Sequence, residues 1–392
     1  MKILILGHGA VGSVLAKLLE KEKNIKSVIC ADISFKGEKK FEKCHHVNIN
    51  LKNKAQLLDT LKKFQPDLVI NASPPTFNVD VLDACANSNC NYLDMAAWWE
   101  LDTDKNAASP YKIEQFDFDK VFRERNIIGL IEAGISPGMT NIFVRECADQ
   151  FDELEDVKIR LIEESAVKEL SFAWSKEALL DEINSKPLVY KDKKFRIMEP
   201  FTGIEYYNFP KPFGKKKVGL LCQDEVGTIP FYIKLKNVDV KAYDNQADIY
   251  KFLYDLGLTS EEKIDFNGIK ITPFEFVVKV LPEVSFNFRD SKFDEAQFAF
   301  AVEARGKIKG KKKTIRYFVS CPKQKEINKL GLNANFISYP TALSAKIFAM
   351  AVLRIKTKGI IPPEALDKEI RKYILSELGK TKHVTIKKEI LK

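Results

Sequence analysis

Three glycines, Gly7, Gly9 and Gly12, are spaced as in the pattern G-x-G-x-x-G. They lie between an apolar run at residues 3–6 and a segment with helical apolar spacing, hence between a predicted strand and a predicted helix. The first glycine permits a tight turn, the second lets backbone approach a pyrophosphate, and the third allows close helix–strand packing. The helix N-terminus adds free N–H groups and a partial positive charge. We predict a dinucleotide-binding loop, with a purely structural glycine turn as the alternative. Its residues are Gly7, Gly9, Ala10, Val11 and Gly12.

Asp32 ends the second predicted strand, twenty residues after Gly12. A carboxylate at that place accepts hydrogen bonds from the ribose hydroxyls of a dinucleotide and repels a 2′-phosphate. The sequence therefore favours NAD as the cofactor. Lys36 is close enough along the chain to leave NADP open, and FAD is bound through a similar fingerprint.

Two further strand ends carry polar side chains. Asn71, Ser73 and Pro74 follow the fourth predicted strand, and Asp94 ends the fifth. Ligands of such sheets lie across the carboxyl ends of the strands, so we expect the loop beside the cofactor and Asp94 near the nicotinamide. There a carboxylate can orient a substrate amine or take a proton. The alternatives are a generic strand-exit loop and a loop-bracing role for Asp94.

A second strand–turn–helix unit occupies residues 132–141. Its turn contains two glycines and a proline, which bring backbone close to a bulky group, and its helix is predicted to start near Met139. We assign Gly134, Pro137 and Asn141 to cofactor binding, with a simple chain reversal as the alternative.

Short apolar runs alternate with helically spaced segments over residues 1–132, which predicts an α/β fold with a doubly wound parallel sheet of the Rossmann type. From about residue 156, polar–apolar alternation predicts a second α+β domain with a mostly antiparallel sheet. One candidate strand spans 231–240, and residues 306–310 are typical of a hairpin connection. Residues 381–392 are expected to form an exposed terminal element. The predicted domains are 1–135 for the cofactor, 136–335 for substrate and dimerisation, and 336–392 as a helical return onto the first domain.

The composition excludes several classes of protein. Of 392 residues, 45% are hydrophobic and 30% charged, which excludes extended disorder. The net charge of +9 comes from scattered lysines, so we expect no nucleic-acid partner. Apolar runs are too short to cross a bilayer and the N-terminus is unlike a secretory signal, which predicts a cytoplasmic protein without a membrane partner. Seven cysteines without a Cys-x-x-Cys pair, and only four histidines, predict reduced thiols and no metal site.

The order of these motifs resembles the saccharopine dehydrogenase (saccharopine reductase) superfamily, which includes lysine 6-dehydrogenase and carboxynorspermidine dehydrogenase. The resemblance covers essentially the whole chain. In the first domain it is carried by the glycine loop with Asp32 and by residues 92–94 and 133–141. Later stretches that match are 172–175, 223–230, 339–342 and 359–364. The length of residues 98–116 is similar to that of the carboxynorspermidine branch, whereas the second domain is similar to the saccharopine and lysine branch.

This resemblance implies an NAD(P)-dependent oxidoreductase that acts by hydride transfer on the C–N bond of an amino-acid-derived amine, such as saccharopine, lysine or a carboxy-polyamine. It also implies a homodimer. Oxidising an amine needs a proton acceptor, for which Asp94 and Glu225 are the candidates. Arg196 and Arg305 are candidates to bind a substrate carboxylate, and Trp174 is a candidate pocket wall or, alternatively, a core aromatic. A catalytically inactive dinucleotide-binding protein with a regulatory or scaffold role is the alternative function.

Overall fold

The computed structural model describes residues 1–35, 43–102, 107–165, 167, 172–173, 175–281 and 288–391. The strands are β1 Lys2–Leu6, β2 Ser27–Asp32, β3 Cys44–Asn48, β4 Leu68–Asn71, β5 Asn91–Asp94, β6 Trp99–Leu101, β7 Tyr111–Ile113, β8 Ile128–Leu130, β9 Glu153–Glu164, β10 Leu188–Lys191, β11 Lys194–Ile197, β12 Glu205–Asn208, β13 Lys215–Leu220, β14 Asn237–Asp244, β15 Ile264–Phe266, β16 Ile269–Ile271, β17 Gln297–Ile308, β18 Lys311–Ser320, β19 Gly359–Ile361 and β20 Thr385–Leu391. The helices are α1 Gly12–Glu20, α2 Lys54–Phe64, α3 Asn78–Ser88, α4 Asp119–Glu124, α5 Met139–Ala148, α6 Lys176–Asn184, α7 Glu225–Tyr232, α8 Ala247–Asp255, α9 Pro273–Val280, α10 Gln324–Asn328, α11 Ser338–Val352 and α12 Lys368–Gly379.

The chain forms two compact units whose boundaries differ from the predicted ones. Unit 1 comprises Met1–Arg145, Gly227–Tyr232 and Ser338–Lys382, and unit 2 comprises Glu146–Val226, Ile233–Ile337 and His383–Lys392. Most of α5 and α7 therefore belongs to the first unit, although both helices lie inside the range predicted for the second domain. The last ten residues belong to unit 2 because β20 pairs with β18.

Unit 1 is built on a seven-stranded sheet in the order β19-β8-β5-β4-β1-β2-β3. All its strand pairs are parallel. The interior strand β1 is buried on both faces from Ile3 to Leu6, as parallel strands covered by helices on both sides require. The predicted doubly wound parallel sheet is confirmed. Its strands end at one edge, where β1, β2, β4, β5 and β8 pass into loops that carry most of the predicted site residues.

Unit 2 contains a nine-stranded sheet in which β9, β14 and β17 are central. Its described strand pairs are antiparallel except for β9 with β14, which are parallel, so the sheet is mixed as well as mostly antiparallel. The hairpin predicted at residues 306–310 is present. Lys309 and Gly310 form its turn, and both have positive φ, the backbone conformation that matches the twist of a two-residue hairpin.

One predicted element is wrong. The strand expected at 231–240 starts only at Asn237, and the residues before it end helix α7 and form a connecting loop. Ile233 and Leu235 are buried in that loop, so the polar–apolar alternation reflects burial in a loop rather than a strand. The tail is an exposed terminal element, as predicted, and it forms edge strand β20, which pairs with β18 from Thr314 to Ser320.

Among the described residues, no helix is both long enough and apolar enough to traverse a bilayer.

Candidate functional site

In the glycine loop after β1, packing leaves no room for a side chain at two of the glycines but leaves room at the third. A Cβ on Gly7, whose φ is +95°, would overlap the carbonyl oxygen of Ala72, and a Cβ on Gly12 would overlap that of Gly7. A Cβ on Gly9 would meet no atom of the described residues within 4 Å. Open space beside Gly9 is what the approach of a pyrophosphate requires, so the loop fits a dinucleotide.

Asp32 is held in place at the carboxyl end of β2. Its Oδ2 accepts a hydrogen bond of 2.6 Å from the backbone N–H of His8, and its Oδ1 accepts one of 3.2 Å from that of Ser34. The carboxylate therefore joins the strand end to the glycine loop, a position that suits recognition of a ribose. Lys36, which left NADP open, lies outside the described residues.

The loop after β4 is braced by its own side chains. Asn71 is buried, accepts a hydrogen bond from the backbone N–H of Ser73, and donates one of 2.8 Å to Asn78. Pro74 then leads into a short 3₁₀-helix. These bonds fix the backbone of the loop, so a cofactor contact from this segment would come chiefly from its backbone and from Ser73. Cofactor binding by Asn71, Ser73 and Pro74 stays a prediction.

Asp94 lies at the end of β5 with 1% of its surface exposed. Its Oδ2 accepts hydrogen bonds from the Tyr92 hydroxyl at 2.8 Å and the Gln115 amide at 3.0 Å, and its Oδ1 accepts one of 2.7 Å from the backbone N–H of Glu132. Burial raises the pKa of Asp94 to about 7, although these three donors oppose the shift. The carboxyl group thus ties β5 to the loop after β8.

Glu132, in the loop after β8, belongs to a buried cluster of polar side chains. Of this cluster only Asn141 was predicted as a site residue. The Asn141 amide donates to Glu364 at 3.0 Å and to Thr228 at 3.5 Å, and the Thr228 hydroxyl donates to Glu132 at 3.2 Å. All four side chains have no exposed surface. Asn141, predicted to contact the cofactor, also accepts a hydrogen bond from the backbone N–H of Gly138.

Glu132, Thr228 and Glu364 were not assigned a role from the sequence. Each lies in one of the sequence motifs described above, at residues 132–141, 223–230 and 359–364. The fold brings these three separate parts of the chain together in this cluster. The turn that carries Gly134 and Pro137 is equally tight, since a Cβ on Gly138 would overlap the carbonyl oxygen of Gly134. Contacts of Gly134, Pro137 and Asn141 with a cofactor stay predictions.

Unit 2 contains a small cavity of about 20 Å³ that is lined by carboxylates and aromatic rings. Glu163 is the last residue but one of β9 and Asp244 is the last of β14. The two are register partners in the parallel pair, which places both side chains on the same face. The aromatic residues that line the cavity are Phe172, Tyr250, Phe288 and Phe336.

Glu163 and Asp244 line the cavity, and Glu182, outside the described lining, is close enough for its charge to act on Glu163. Burial, followed by the charges of Asp244 and Glu182, raises the pKa of Glu163 well above its ordinary value. Burial likewise raises the pKa of Asp244 to about 6, and burial together with neighbouring acids raises that of Glu182 to about 8. A cation in the cavity would relieve this repulsion and lower all three pKa values.

The remaining predicted residues do not gather at the cavity. Arg196 pairs with Asp192 at 3.2 Å on an exposed hairpin, and Arg305 pairs with Asp156 on the exposed side of the sheet. The described cavity lining includes neither arginine. Trp174 lies outside the described residues. Glu225, the first residue of α7, is fully buried.

Sequence comparisons identify two family matches that together span most of the chain. Residues 3–125 match the saccharopine dehydrogenase NADP binding domain, and residues 134–383 match the saccharopine dehydrogenase C-terminal domain. The chain is 25% identical over 308 residues to the carboxynorspermidine synthase of Vibrio cholerae, covering 72% of this chain and 73% of that protein. It is 24% identical over 414 residues to the carboxyaminopropylagmatine dehydrogenase of a Synechocystis species, covering 98% of both.

Solved structures show the same fold. Apo saccharopine dehydrogenase (L-Glu forming) from Saccharomyces cerevisiae matches with a TM-score of 0.70 and 14% identity, over the full length of both chains. The homospermidine synthase of Legionella pneumophila in complex with NAD matches with a TM-score of 0.67 and 13% identity, over 100% of this chain and 91% of that one. At such identities the likeness shows the fold alone.

Proposed function

We propose that this chain, which belongs to the saccharopine dehydrogenase family and is an NAD(P)-dependent oxidoreductase acting on the C–N bond of an amine, takes a carboxylated polyamine as its substrate. Such a substrate has a carboxylate near the reacting nitrogen and at least one further cationic nitrogen along its chain. Saccharopine and lysine are the competing substrates from the sequence prediction.

The cavity of unit 2 is the observation that carries this proposal. Glu163 and Asp244 stand side by side on neighbouring strands, and Glu182 is a third carboxyl group whose charge, when ionised, adds to the repulsion. An ammonium or guanidinium group between them would offset their mutual repulsion and form charge-assisted hydrogen bonds. The aromatic rings of the cavity lining would contact methylene groups next to that cation and attract its charge through their π faces.

The names of the relatives agree with this chemistry. Norspermidine and agmatine are amines that carry several positive charges at neutral pH, and the names carboxynorspermidine and carboxyaminopropylagmatine describe carboxylated derivatives of such amines. The alternative of a catalytically inactive binding protein finds no support in these relatives, because they are named as enzymes.

The reaction breaks the C–H bond beside the reacting nitrogen and leaves an iminium on the substrate. Bound oxidised nicotinamide supplies the hydride acceptor. Water then adds to the iminium carbon, the C–N bond breaks, and a carbonyl compound and an amine are released; the reductive direction reverses each step. The chain must hold the nitrogen neutral before hydride leaves, which requires a proton acceptor.

Asp94 and Glu225 were both predicted as the proton acceptor, and their hydrogen bonding favours different roles for them. The carboxylate oxygens of Asp94 already accept three hydrogen bonds from the protein, so we assign it to positioning the loop that starts at Glu132. Glu225 is kept as the proposed acid–base residue.

The cofactor preference is proposed to be NAD over NADP. Asp32 supports this, because a carboxylate fixed at the end of β2 would repel a 2′-phosphate.

A homodimer is proposed from exposed apolar side chains of unit 2, and a cytoplasmic location is kept as part of the same proposal. Phe252 on α8, Phe266 on β15, Ile269 on β16 and Phe276 on α9 are each more than half exposed. Exposed large apolar side chains are typical of surfaces that a partner covers.

Two isosteric variants, Glu163→Gln and Asp244→Asn, test the substrate proposal. Each removes one charge from the cavity, so the KM for carboxynorspermidine should rise roughly 10- to 100-fold, the loss expected for one charge-assisted hydrogen bond, with kcat little changed. Glu262→Gln is the matched control, because Glu262 is an exposed acid of the same unit outside the described cavity lining. Equal KM values in all three variants would remove the cavity from the substrate site.

A further inference from the structure

Two cysteines and a histidine meet at the outer edge of the parallel sheet. Cys30 is on β2, and Cys44 and His46 are on edge strand β3. In the parallel register Cys30 faces His46 and Val28 faces Cys44, so all three side chains project from the same face of the sheet. The fold therefore places together three residues that sequence spacing alone does not connect.

The three donor groups are close enough to hold one ion. The Cys30 sulfur, the Cys44 sulfur and a ring nitrogen of His46 lie within 4.8 Å of one another, and the two sulfur atoms are in contact as a disulfide. The expectation that all seven cysteines are reduced thiols is corrected for this pair, whereas the other five are free. Reduction of this disulfide by a phosphine or a dithiol would yield two thiols beside an imidazole. The corresponding thiolates and the imidazole form a donor set that prefers Zn²⁺ and other thiophilic cations.

We propose that the reduced form of Cys30, Cys44 and His46 binds one Zn²⁺ ion. Cys30 is fully buried, Cys44 is half-buried and His46 is exposed, so the site opens to solvent on one side and water can complete a tetrahedral shell. Binding releases one proton from each thiol and changes no oxidation state. The ion crosslinks β2 to edge strand β3 across a sequence separation of 14 residues.

The site adjoins the predicted adenosine end of the cofactor site. Cys30 precedes Asp32 by two residues on β2. The ring of His46 stacks on Phe35 with centroids 4.1 Å apart and meets the ring of His8, inside the glycine loop, edge-on at 5.1 Å. Zn²⁺ thus fixes strands that carry the ribose-binding carboxylate.

Zn²⁺ binding to the full-length, phosphine-reduced protein tests the proposal, measured by competition with a chromogenic chelator and by thermal unfolding. We expect one Zn²⁺ per chain and a rise in Tm that excess EDTA reverses. His46→Ala, at an exposed residue that does not threaten folding, should weaken binding at least tenfold, and Cys30→Ala and Cys44→Ala should abolish it. His45→Ala and Cys90→Ala are controls, because His45 is the exposed neighbour of His46 and Cys90 is a buried thiol of the same unit. Both should bind as wild type does.

Two results would overturn the proposal. If the reduced wild-type protein binds no Zn²⁺, the pair forms a disulfide only. If His46→Ala binds Zn²⁺ as tightly as His45→Ala does, the histidine is no ligand. A thiolate-to-metal charge-transfer band on Co²⁺ substitution, present in the controls and absent from Cys44→Ala, would confirm sulfur coordination independently of stability.

Discussion

At the scale of single residues, Asp32 links cofactor recognition to the geometry of the loop. Its carboxylate accepts the His8 N–H and is also proposed to accept ribose hydroxyls, so its two tasks can be separated by substitution. Asp32→Ala should weaken NAD binding roughly 10- to 100-fold and reduce discrimination against NADP.

Asp32→Asn is the matched variant. Its side-chain oxygen can still accept from His8, so it should retain more of the NAD affinity while losing the repulsion of the 2′-phosphate. Titrations with both cofactors, followed by nicotinamide fluorescence, measure this. Wild-type affinities for both cofactors in both variants would take Asp32 out of the cofactor site.

Asp94 makes stability depend on pH. Its folded-state pKa of about 7 lies above the ordinary value of 3.8, so the folded protein binds a proton that the unfolded chain has already released. The free energy of unfolding should therefore fall as pH rises from about 4 to about 7 and then level off, by at most about 4 kcal/mol. Asp94→Asn should reduce this dependence, and the raised pKa values of Asp244 and Glu182 should account for part of what remains.

Urea unfolding at several pH values checks the effect, with the exposed Asp59→Asn on α2 as the control. The control should keep the wild-type slope. If Asp94→Asn keeps that slope too, the carboxyl group does not titrate with a raised pKa.

Sequence spacing could reveal the glycine loop and Asp32 because their geometry is local to one strand–turn–helix unit. It could not reveal Thr228 and Glu364, which reach Asn141 from 87 and 223 residues away. The sequence did not predict that Cys30, Cys44 and His46 lie together, because strand register rather than a short motif brings them together. Glu163 and Asp244 are likewise partners only through the parallel pairing of β9 and β14.

At the scale of elements, the glycines of the β1–loop–α1 unit have separate roles: Gly9 is proposed to serve cofactor binding and Gly12 to serve folding. Gly9→Ala should abolish tight dinucleotide binding while the unfolding free energy stays within about 1 kcal/mol of wild type, because a Cβ there meets open space. Gly12→Ala should instead destabilise the fold, because its Cβ would overlap the Gly7 carbonyl.

Circular dichroism melts and cofactor titrations of the two variants give both readouts. Normal binding by Gly9→Ala would contradict the phosphate-loop assignment, and a fully stable Gly12→Ala would contradict the helix–strand packing.

Periodicity predicted the parallel sheet well because its strands are fully buried apolar runs between helices. It failed at α7, where the family motif of residues 223–230 becomes a helix and the alternation beyond it belongs to a buried loop. It also did not identify the exposed tail as strand β20, whose pattern is polar because it lies at an edge and exposes much of its surface. Edge strands have a weak hydrophobic pattern, so their formation depends on pairing with a neighbouring strand that the sequence alone does not reveal.

At the scale of the whole molecule, the two units carry different parts of the proposed function. Unit 1 contains the glycine loop, Asp32 and the buried network around Asp94 and Glu132. Unit 2 contains the acidic, aromatic cavity that we propose distinguishes a polycationic substrate from saccharopine, whose extra groups are carboxylates. The substrate proposal therefore depends on charge, and charge is what its most direct test must vary.

That test is the appearance of reduced nicotinamide absorbance at alkaline pH, with NAD and NADP each tried against carboxynorspermidine, saccharopine and lysine. We predict turnover with carboxynorspermidine and NAD, at a kcat/KM at least about tenfold above that for the other two amines. Equal or faster turnover of saccharopine or lysine would contradict the account.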